Sequence, residues 1–148
     1  MRKYIAFAFL AFALCVSSGA VAMPTTLTLC KLAANLNKYA NKVVRVKAIY
    51  YTDMLEHSGL LDTSCRSIKF NLYDGPKGPY QDTIDKLNNA EGKRYFAGNP
   101  VILNLTFSAI LRLAPEPGEL PFAKGELGRL HLTRVWKYTW LSQFPSKY

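Results

Sequence analysis

The chain has 148 residues, carries a formal net charge of +9 at pH 7 and is 49% hydrophobic by residue count. A chain of this length fits one domain with a hydrophobic core, and it has no internal repeat or low-complexity segment. The positive charge favours anionic partners such as nucleic acid, acidic glycans or membrane surfaces, but it does not indicate a fold. A solvated basic surface without such a partner is the alternative.

The N-terminus has the three parts of a secretory signal peptide. Arg2 and Lys3 form a positive region, Tyr4–Val16 is an uncharged apolar run, and Ala20-Val21-Ala22 is a cleavage site with small residues. The apolar run is shorter than the roughly 20 residues that span a bilayer, which disfavours a membrane anchor. We therefore predict cleavage after Ala22.

Cleavage leaves a single domain of residues 23–148, two units less positive than the whole chain. Cys15 leaves with the signal peptide of residues 1–22, and Leu14 before it is too large for a lipid-attachment site. No second apolar stretch approaches membrane-spanning length, so we expect no membrane span in the mature chain. The prediction is a periplasmic or secreted protein.

The mature chain keeps two cysteines, Cys30 and Cys65. In an oxidising compartment two cysteines most simply form one disulfide. The closed loop has about 35 residues, for which the chain-entropy relation gives ~3.8 kcal/mol of stabilisation. A redox-active pair is the alternative, but the sequence has no C-x-x-C motif.

Apolar periodicity predicts two helices and five strands in the mature chain. They are a helix from Leu29, capped by Thr28, to near Asn37; strands over Val43–Tyr51, Gly59–Thr63 and Ile68–Tyr73; a helix over Gln81–Glu91; and strands over Pro100–Leu113 and Arg129–Tyr138. Of these strands, Pro100–Leu113 is predicted to be the longest. Ala114–Gly128 is predicted to be a long ordered loop or lid, followed after the last strand by an aromatic tail with Trp140 and Phe144.

The second predicted helix has a mixed buried face. Asp82 suits its first turn, and Gly92 suits its end. The residues that share one face are Tyr80, Ile84, Leu87 and Glu91.

The order of these elements favours a mainly β fold. Five strands with a helix between the third and the fourth match the five-stranded, partly open Greek-key barrel of the OB-fold. The first helix is then an N-terminal addition, tied by Cys30 to the region after the second strand. A small α+β sandwich with the same element order is the competing architecture.

Several segments resemble a group of small exported bacterial proteins of uncharacterised function. The segments are Leu29-Cys30-Lys31-Leu32, Tyr39–Val46, Gly59–Cys65 and Gly125–Gly128. In that group a short helix leads into a valine-rich strand, and a cysteine follows some twenty residues later. The resemblance implies an OB-like fold and supplies no catalytic residue.

The sequence has no recognisable catalytic constellation, so we predict neither an enzyme nor a cofactor. G-x-S-x-G, H-E-x-x-H, a phosphate-binding glycine loop and a paired-cysteine zinc motif are all absent. His131 is expected to point outward from the last strand as a half-exposed residue. In the same strand, Leu130 and Leu132 are expected to point inward and Thr133 outward.

His57 is the other histidine, and acidic residues surround it in sequence. Asp53, Glu56 and Asp62 offer oxygen ligands that, with its imidazole, suit a cation. A polar hairpin loop explains the same residues without a metal, and this is the interpretation we favour.

The alternation of residues in two strands predicts a ligand-binding face. Basic and aromatic side chains together suit an anionic chain, because the cations neutralise charge and the rings stack on bases or sugars. The predicted ligand-binding residues are Arg45, Lys47 and Tyr51 on the first strand, with Lys69, Asn71 and Tyr73 on the third. A half-solvated sheet with ordinary polar residues outward is the alternative.

These observations predict a non-catalytic OB-like binding module for an anionic oligosaccharide or nucleic acid. The alternative is a protein-interaction module of the cell envelope or of a secreted assembly, acting as an inhibitor, an accessory protein or a toxin-like subunit. A small hydrolase is the third class.

Overall fold

The computed structural model describes residues 25–55, 57–65 and 68–146. The predicted signal peptide, residues 1–22, lies outside the described residues. The strands are β1 (Thr26–Thr28), β2 (Val43–Thr52), β3 (Ser58–Leu61), β4 (Lys69–Asp74), β5 (Val101–Arg112) and β6 (Glu126–Trp140). The helices are α1 (Leu29–Ala33), α2 (Leu36–Tyr39) and α3 (Gln81–Phe96).

The six strands form one mixed sheet. Its order is β1-β2-β5-β6-β4, and β3 pairs with β2 beyond the part of β2 that β1 occupies. β2 is antiparallel to β3 and β5, and β5 is antiparallel to β6, whereas β4 runs parallel to β6 and β1 runs parallel to β2. The protein is therefore mainly β, as predicted.

The sheet does not close into a barrel. Residues of β3 and β4 have Cα atoms within 8 Å of one another, yet in the part of the chain that the structure describes no ladder joins these two strands. The sheet is therefore open between β3 and β4 and has six strands, so the five-stranded, partly open OB-like barrel stays a prediction.

Strict alternation of apolar residues in β2 and β5 builds the core. Val44 and Val46 of β2 are buried, and Leu105 and Phe107 of β5 lie beside them with no exposed surface. Successive side chains of a strand point to opposite faces of the sheet, so every second side chain of each strand points into the core. The predicted inward faces of these two strands are confirmed.

The N-terminal helix is shorter than predicted and has two parts. Thr28 caps α1 by accepting a hydrogen bond from the backbone N–H of Lys31, as expected. The helix then ends at Ala33, because Asn35 has a non-helical φ of −139° and its side chain donates to the Lys31 carbonyl. A second short helix, α2, follows, so the prediction of one helix reaching Asn37 is wrong.

The predicted disulfide is confirmed. Cys30 in α1 and Cys65 after β3 are bonded, with Cα atoms 5.7 Å apart. Asp62 supports this bridge by accepting hydrogen bonds from Ser64 and, at 3.4 Å, from the backbone N–H of Cys30. Although partial burial opposes the effect, these hydrogen bonds lower the pKa of Asp62.

Helix α3 continues beyond its predicted end. Gly92 lies inside the helix with no neighbouring atom near its missing Cβ, and the chain leaves the helical conformation at Gly98, whose φ is +75°. A glycine inside a helix costs only about 1 kcal/mol relative to alanine, so packing overrides it. Ile84, Leu87 and Glu91 are buried on one face as predicted, whereas Tyr80 before the helix is exposed.

The last strand differs most from its prediction. β6 has 15 residues and β5 has 12, so β6 is the longest strand, not β5. It begins at Glu126, inside the segment predicted as a loop, and it ends at Trp140, which packs against the core rather than in a free tail. No described helix is long and apolar enough to cross a membrane.

Candidate functional site

The predicted ligand residues of β2 have different environments. Lys47 is exposed and Arg45 is half-buried. Tyr51 is half-buried, and its ring meets Phe144 edge-on with centroids 5.6 Å apart. The C-terminal segment therefore covers the tyrosine that was expected to stack on a ligand.

The predicted ligand residues of β4 do not adjoin those of β2 through the sheet. β5 and β6 stand between β2 and β4 in the strand order. Tyr73 stacks on His131, with ring centroids 6.0 Å apart, while Lys69 is exposed and Asn71 is half-buried. A ligand role for the six residues stays a prediction, but Arg45 and Lys47 share their face with residues of β5 and β6 instead.

The strand registers place basic residues in two rows across β2, β5 and β6. In the first row Arg45 lies opposite Ser108, which lies opposite Arg134; in the second, Lys47 lies opposite Thr106, which lies opposite Lys137. Four cations thus come from two strands that flank hydroxyl-bearing residues of the central strand. We call this surface the basic face; it comprises Arg45, Lys47, Thr106, Ser108, Arg134, Trp136 and Lys137.

An aromatic ring holds the two arginines of the basic face close together. The guanidinium carbon of Arg45 lies 4.4 Å from the centre of the Trp136 ring, and that of Arg134 lies 3.6 Å from the same centre. On its other side Arg134 lies 4.0 Å from the centre of the Tyr80 ring. The indole N–H of Trp136 donates to the Ser108 hydroxyl at 2.8 Å, which fixes the ring. Cation–π attraction therefore positions both guanidinium groups.

The two arginines have no anionic partner within the described ranges of the chain. The Nε atoms of Arg45 and Arg134 are buried and make no hydrogen bond. By contrast, Arg112 pairs with Glu116, and Arg94 donates to the carbonyls of Pro100 and Leu141. Arg45 and Arg134 thus differ from these two arginines in having neither an ion pair nor a hydrogen bond to a described residue.

Sequence reasoning missed Arg134, Trp136 and Tyr80. Because side chains alternate along a strand, an inward Leu132 predicts that Arg134, two residues later, also points inward. In the structure Val135 is the buried residue instead. Irregular pairing between β5 and β6, near Ser108 and again near Thr106, shifts the alternation of β6.

A second polar cluster lies around Arg129, whose guanidinium nitrogens all have hydrogen-bond partners. Arg129 has 2% of its side chain exposed and donates to Glu126 at 3.0 Å, to Glu119 at 3.2 Å and to the Pro121 carbonyl at 2.9 Å. The rings of Tyr73 and Phe122 each lie 4.8 Å from its guanidinium carbon. The cluster fastens the segment before β6 onto the sheet, because every charged group in it finds a partner.

His131 belongs to this cluster and is buried, so the prediction that it is half-exposed is wrong. It is 5% exposed, and its Nε2 lies 3.3 Å from a carboxylate oxygen of Glu119, without the geometry of a hydrogen bond. The loop that carries Glu119 folds over the strand and covers the imidazole. The residue that contributes to this burial is Glu119, which lies twelve residues earlier in the chain. The alternation of residues within a strand cannot predict such a contact.

The described residues contain groups of side chains that could hold a metal ion, but their atoms already have partners. Glu116, Glu119 and His131 offer ligand atoms within 4.8 Å of one another, yet Glu119 binds Arg129 and the backbone N–H of Glu116. The hydrogen bond from the backbone N–H of Glu116 makes the largest contribution to lowering the pKa of Glu119, and the contacts with Arg129 lower it further. The cluster thus has a structural explanation without a metal.

The acidic residues that were considered as metal ligands together with His57 do not form one cluster in the structure. Asp53 binds the His57 imidazole directly at 2.7 Å and accepts the His57 backbone N–H, so these two residues close the loop after β2. Asp62 instead lies beside the disulfide, and Glu56 lies outside the described residues. The polar hairpin loop explains Asp53 and His57.

The segments that resemble the small exported proteins lie in α1, α2, β2, β3 and the start of β6. They hold the bonded cysteines and the turn at Asn41, a residue with φ of +59°. Comparison of this chain with known protein families, with curated proteins and with solved structures found no match.

Proposed function

We propose that this protein is a non-catalytic binding module that holds an anionic oligosaccharide or nucleic acid on the basic face. The observation that carries the proposal is the pair of arginines at Trp136, Arg45 and Arg134, neither of which has a carboxylate partner in the described chain. Their guanidinium carbons are no more than about 8 Å apart, since both lie over one ring. Two cations this close favour a ligand with closely spaced negative charges.

The chemistry of the basic face suits phosphate, sulfate or carboxylate groups. A guanidinium presents several N–H donors in a planar fork and binds such oxyanions with two parallel hydrogen bonds. Trp136 acts here as a spacer that orients the two forks, because guanidinium groups occupy its ring. Lys47 and Lys137, which are both exposed, extend the positive surface into the next row.

We propose further that strands β2 to β6 form an OB-like arrangement. Support comes from the pairing of β2 with both β3 and β5, from the parallel pairing of β4 with β6, and from α3 between β4 and β5. OB-folds are partly open Greek-key barrels that bind oligonucleotides and oligosaccharides on a sheet face and its loops. The fold alone does not name a ligand, so the ligand class rests on the arginines.

Export to the periplasm or the medium is part of the proposal. The Cys30–Cys65 disulfide supports it, since disulfides persist in oxidising compartments and are rare in the cytosol. The signal-peptide pattern over residues 1–22 is the second support.

A protein-interaction module is the second candidate, favoured by the loop after β2. Met54 and Leu55 are exposed at its tip, Leu55 by 78%. The Asp53 carboxylate accepts backbone N–H groups of Leu55 and His57. Exposed apolar side chains at a loop tip suit contact with another protein, such as an envelope protein.

Binding to heparin and to single-stranded DNA at several salt concentrations tests the proposal. The variant Arg45→Gln/Arg134→Gln should bind at least tenfold more weakly, and the slope of log affinity against log salt should fall by about 1.4 for the DNA, at ~0.7 per lost phosphate contact. The control is Lys86→Gln/Lys93→Gln, which removes two exposed charges from α3. Equal loss in the two variants would mean that only net charge matters, and the basic face would not be the site.

Tryptophan fluorescence provides a direct readout of the same event. The chain has two tryptophans, so Trp140→Phe leaves Trp136 as the reporter. We expect ligand to change its emission, because the guanidinium groups over the ring would move to meet the ligand. Salt-independent binding of a protein partner, lost on replacing Met54 and Leu55 by Ser, would instead favour the second candidate.

A further inference from the structure

A cavity of about 540 Å³ lies between β2, the loop after it, β4 and α3. Its walls include Tyr50 from β2, His57 from the loop, Asp74 from β4, and Asn88 and Glu91 from α3. This volume lies within the range of small-molecule sites in proteins. It is separate from the basic face, which lies on the other side of β2.

Glu91 faces this cavity without a partner. Its side chain is 5% exposed, and it forms neither a hydrogen bond nor an ion pair with any residue that the structure describes. Burying a charged group without a partner is costly, and most buried polar side chains in native proteins are hydrogen-bonded. Its carboxylate is therefore available to a ligand that enters the cavity.

The surroundings of Glu91 favour a cation as that partner. Asp74 brings a second carboxylate whose charge acts on Glu91, and no lysine or arginine is found among the described residues that line the cavity. His57 is the basic residue among the described residues that line the cavity, and it is already paired with Asp53 and largely exposed. The cavity is therefore acidic in a protein that is basic overall.

We propose that this cavity binds a primary ammonium group, held by the carboxylates of Glu91 and Asp74. An ammonium group donates three hydrogen bonds, and the carboxamide oxygen of Asn88 offers a further acceptor. Tyr50 lines the cavity with an aromatic ring, which attracts cations, and Leu72 offers apolar surface for an alkyl chain. The volume and the apolar surface favour an alkylamine over a bare metal ion.

Ionisation of Glu91 links this binding to pH. Burial, with the charge of Asp74 as a smaller contribution, raises the pKa of Glu91 to about 7. An ammonium group binds the ionised carboxylate, and the ionised fraction grows about thirtyfold between pH 5.5 and pH 8. The phenol of Tyr50 stays neutral, because burial and the charge of Glu91 raise its pKa well above the usual range.

The test is a titration of the ¹⁵N-labelled protein with 1,5-diaminopentane, followed by NMR. We expect saturable shifts at the amides of Tyr50, Asp74 and Glu91, with affinity about thirtyfold higher at pH 8 than at pH 5.5. Glu91→Gln should weaken binding at least tenfold and abolish most of the pH dependence. Asp85→Asn, on the exposed side of α3, is the matched control and should bind as the wild type does.

Other probes separate the remaining explanations. Tetramethylammonium has the same charge but no N–H donor, so it should bind more weakly if hydrogen bonds to the carboxylates matter. His57→Gln should keep the pH dependence, which assigns it to the carboxyl group. Tight binding of Ca²⁺ in place of the amine would overturn the proposal in favour of a metal site. Equal amine binding by Glu91→Gln and the wild type, or no saturable shift at all, would also overturn it.

Discussion

Replacing Glu91 by glutamine removes a charge that the folded protein holds in an unfavourable place. The side chain of Glu91 lies 5% exposed on α3, and Asp74 is the charged group that acts on it. Glutamine has nearly the same shape as the protonated acid, so Glu91→Gln changes the charge while leaving the packing of Ile84 and Leu87 in place. The variant therefore isolates the energetic effect of ionisation.

The expected gain in stability follows from the two pKa values of this residue. Its pKa is 4.5 when exposed and about 7 in the folded protein. Between these values the folded state holds the proton more tightly than the unfolded state does, so the wild type loses stability as pH rises from 4.5 through 7. The difference of roughly 2.5 pKa units corresponds to about 3 kcal/mol at high pH. Below pH 4.5 both states are protonated and the two proteins should be about equally stable.

Urea denaturation at a series of pH values from 4 to 8.5 measures this effect. The free energy of unfolding of Glu91→Gln, minus that of the wild type, should rise from near zero to about 3 kcal/mol across the series. Asp85→Asn makes the same change of charge on the exposed side of α3, where it accepts a hydrogen bond from Gln81. This control should show little change between pH 6 and 8.5, because an exposed carboxylate contributes little to stability.

Two results would refute the reasoning. A stability difference that does not vary with pH would mean that Glu91 ionises in the folded state as easily as in the unfolded state. A Glu91→Gln variant less stable than the wild type at pH 8 would mean that the carboxylate has a favourable partner in the protein, and the proposed ammonium site would lose its main support.

Three further variants test how the fold is held together. Cys30→Ser/Cys65→Ser should lower the free energy of unfolding by about 3–4 kcal/mol in urea, and an unchanged midpoint would contradict the entropic account of this loop. Gly75→Ala should destabilise the protein by more than about 2 kcal/mol in thermal melting, because the added Cβ would collide with the Leu132 carbonyl. The control Gly78→Ala should destabilise it less, because its Cβ has no neighbouring atom nearer than 3.7 Å. Arg129→Met should cost about 3–5 kcal/mol, since it strands the buried carboxylate of Glu126 that the arginine neutralises. A smaller loss than in Arg94→Met would contradict this.

Elements governed by local pattern were predictable from the sequence. In β2 the apolar residues Val44, Val46 and Ala48 alternate with polar ones, and the burial follows them closely. Thr28 caps α1 because its hydroxyl is placed to accept from the third following residue, a purely local relation. The disulfide was predictable because only two cysteines remain after the predicted cleavage.

The face of β6 was not predictable, because it depends on pairing with another strand. The two irregularities in its ladder with β5 move Arg134 and Trp136 to the outer face beside Arg45. An extra residue in a strand reverses the alternation beyond it, and the position of that residue is set by the partner strand. The basic face therefore follows from the ladders, although each of its cations is visible in the sequence.

Buried polar residues show a similar limit. Glu91 follows Leu87 by four positions, so helical periodicity correctly placed it on the buried face of α3. The periodicity does not reveal that Asp74 is its neighbour or that a cavity lies beside it, since both depend on how β4 approaches the helix. His131 is the converse case, since its strand position suggested exposure and a distant loop buries it.

The two proposed sites share β2 but use opposite faces of it, so they should act independently. Arg45 points outward toward Trp136, whereas Tyr50 packs against the core beside Glu91. Substitutions at separate sites without common partners usually have additive effects. Arg45→Gln/Arg134→Gln should therefore leave the binding of 1,5-diaminopentane unchanged, and Glu91→Gln should leave the binding of heparin unchanged. If either variant altered the other site's affinity, the two sites would be coupled and the assumption that they act independently would be wrong.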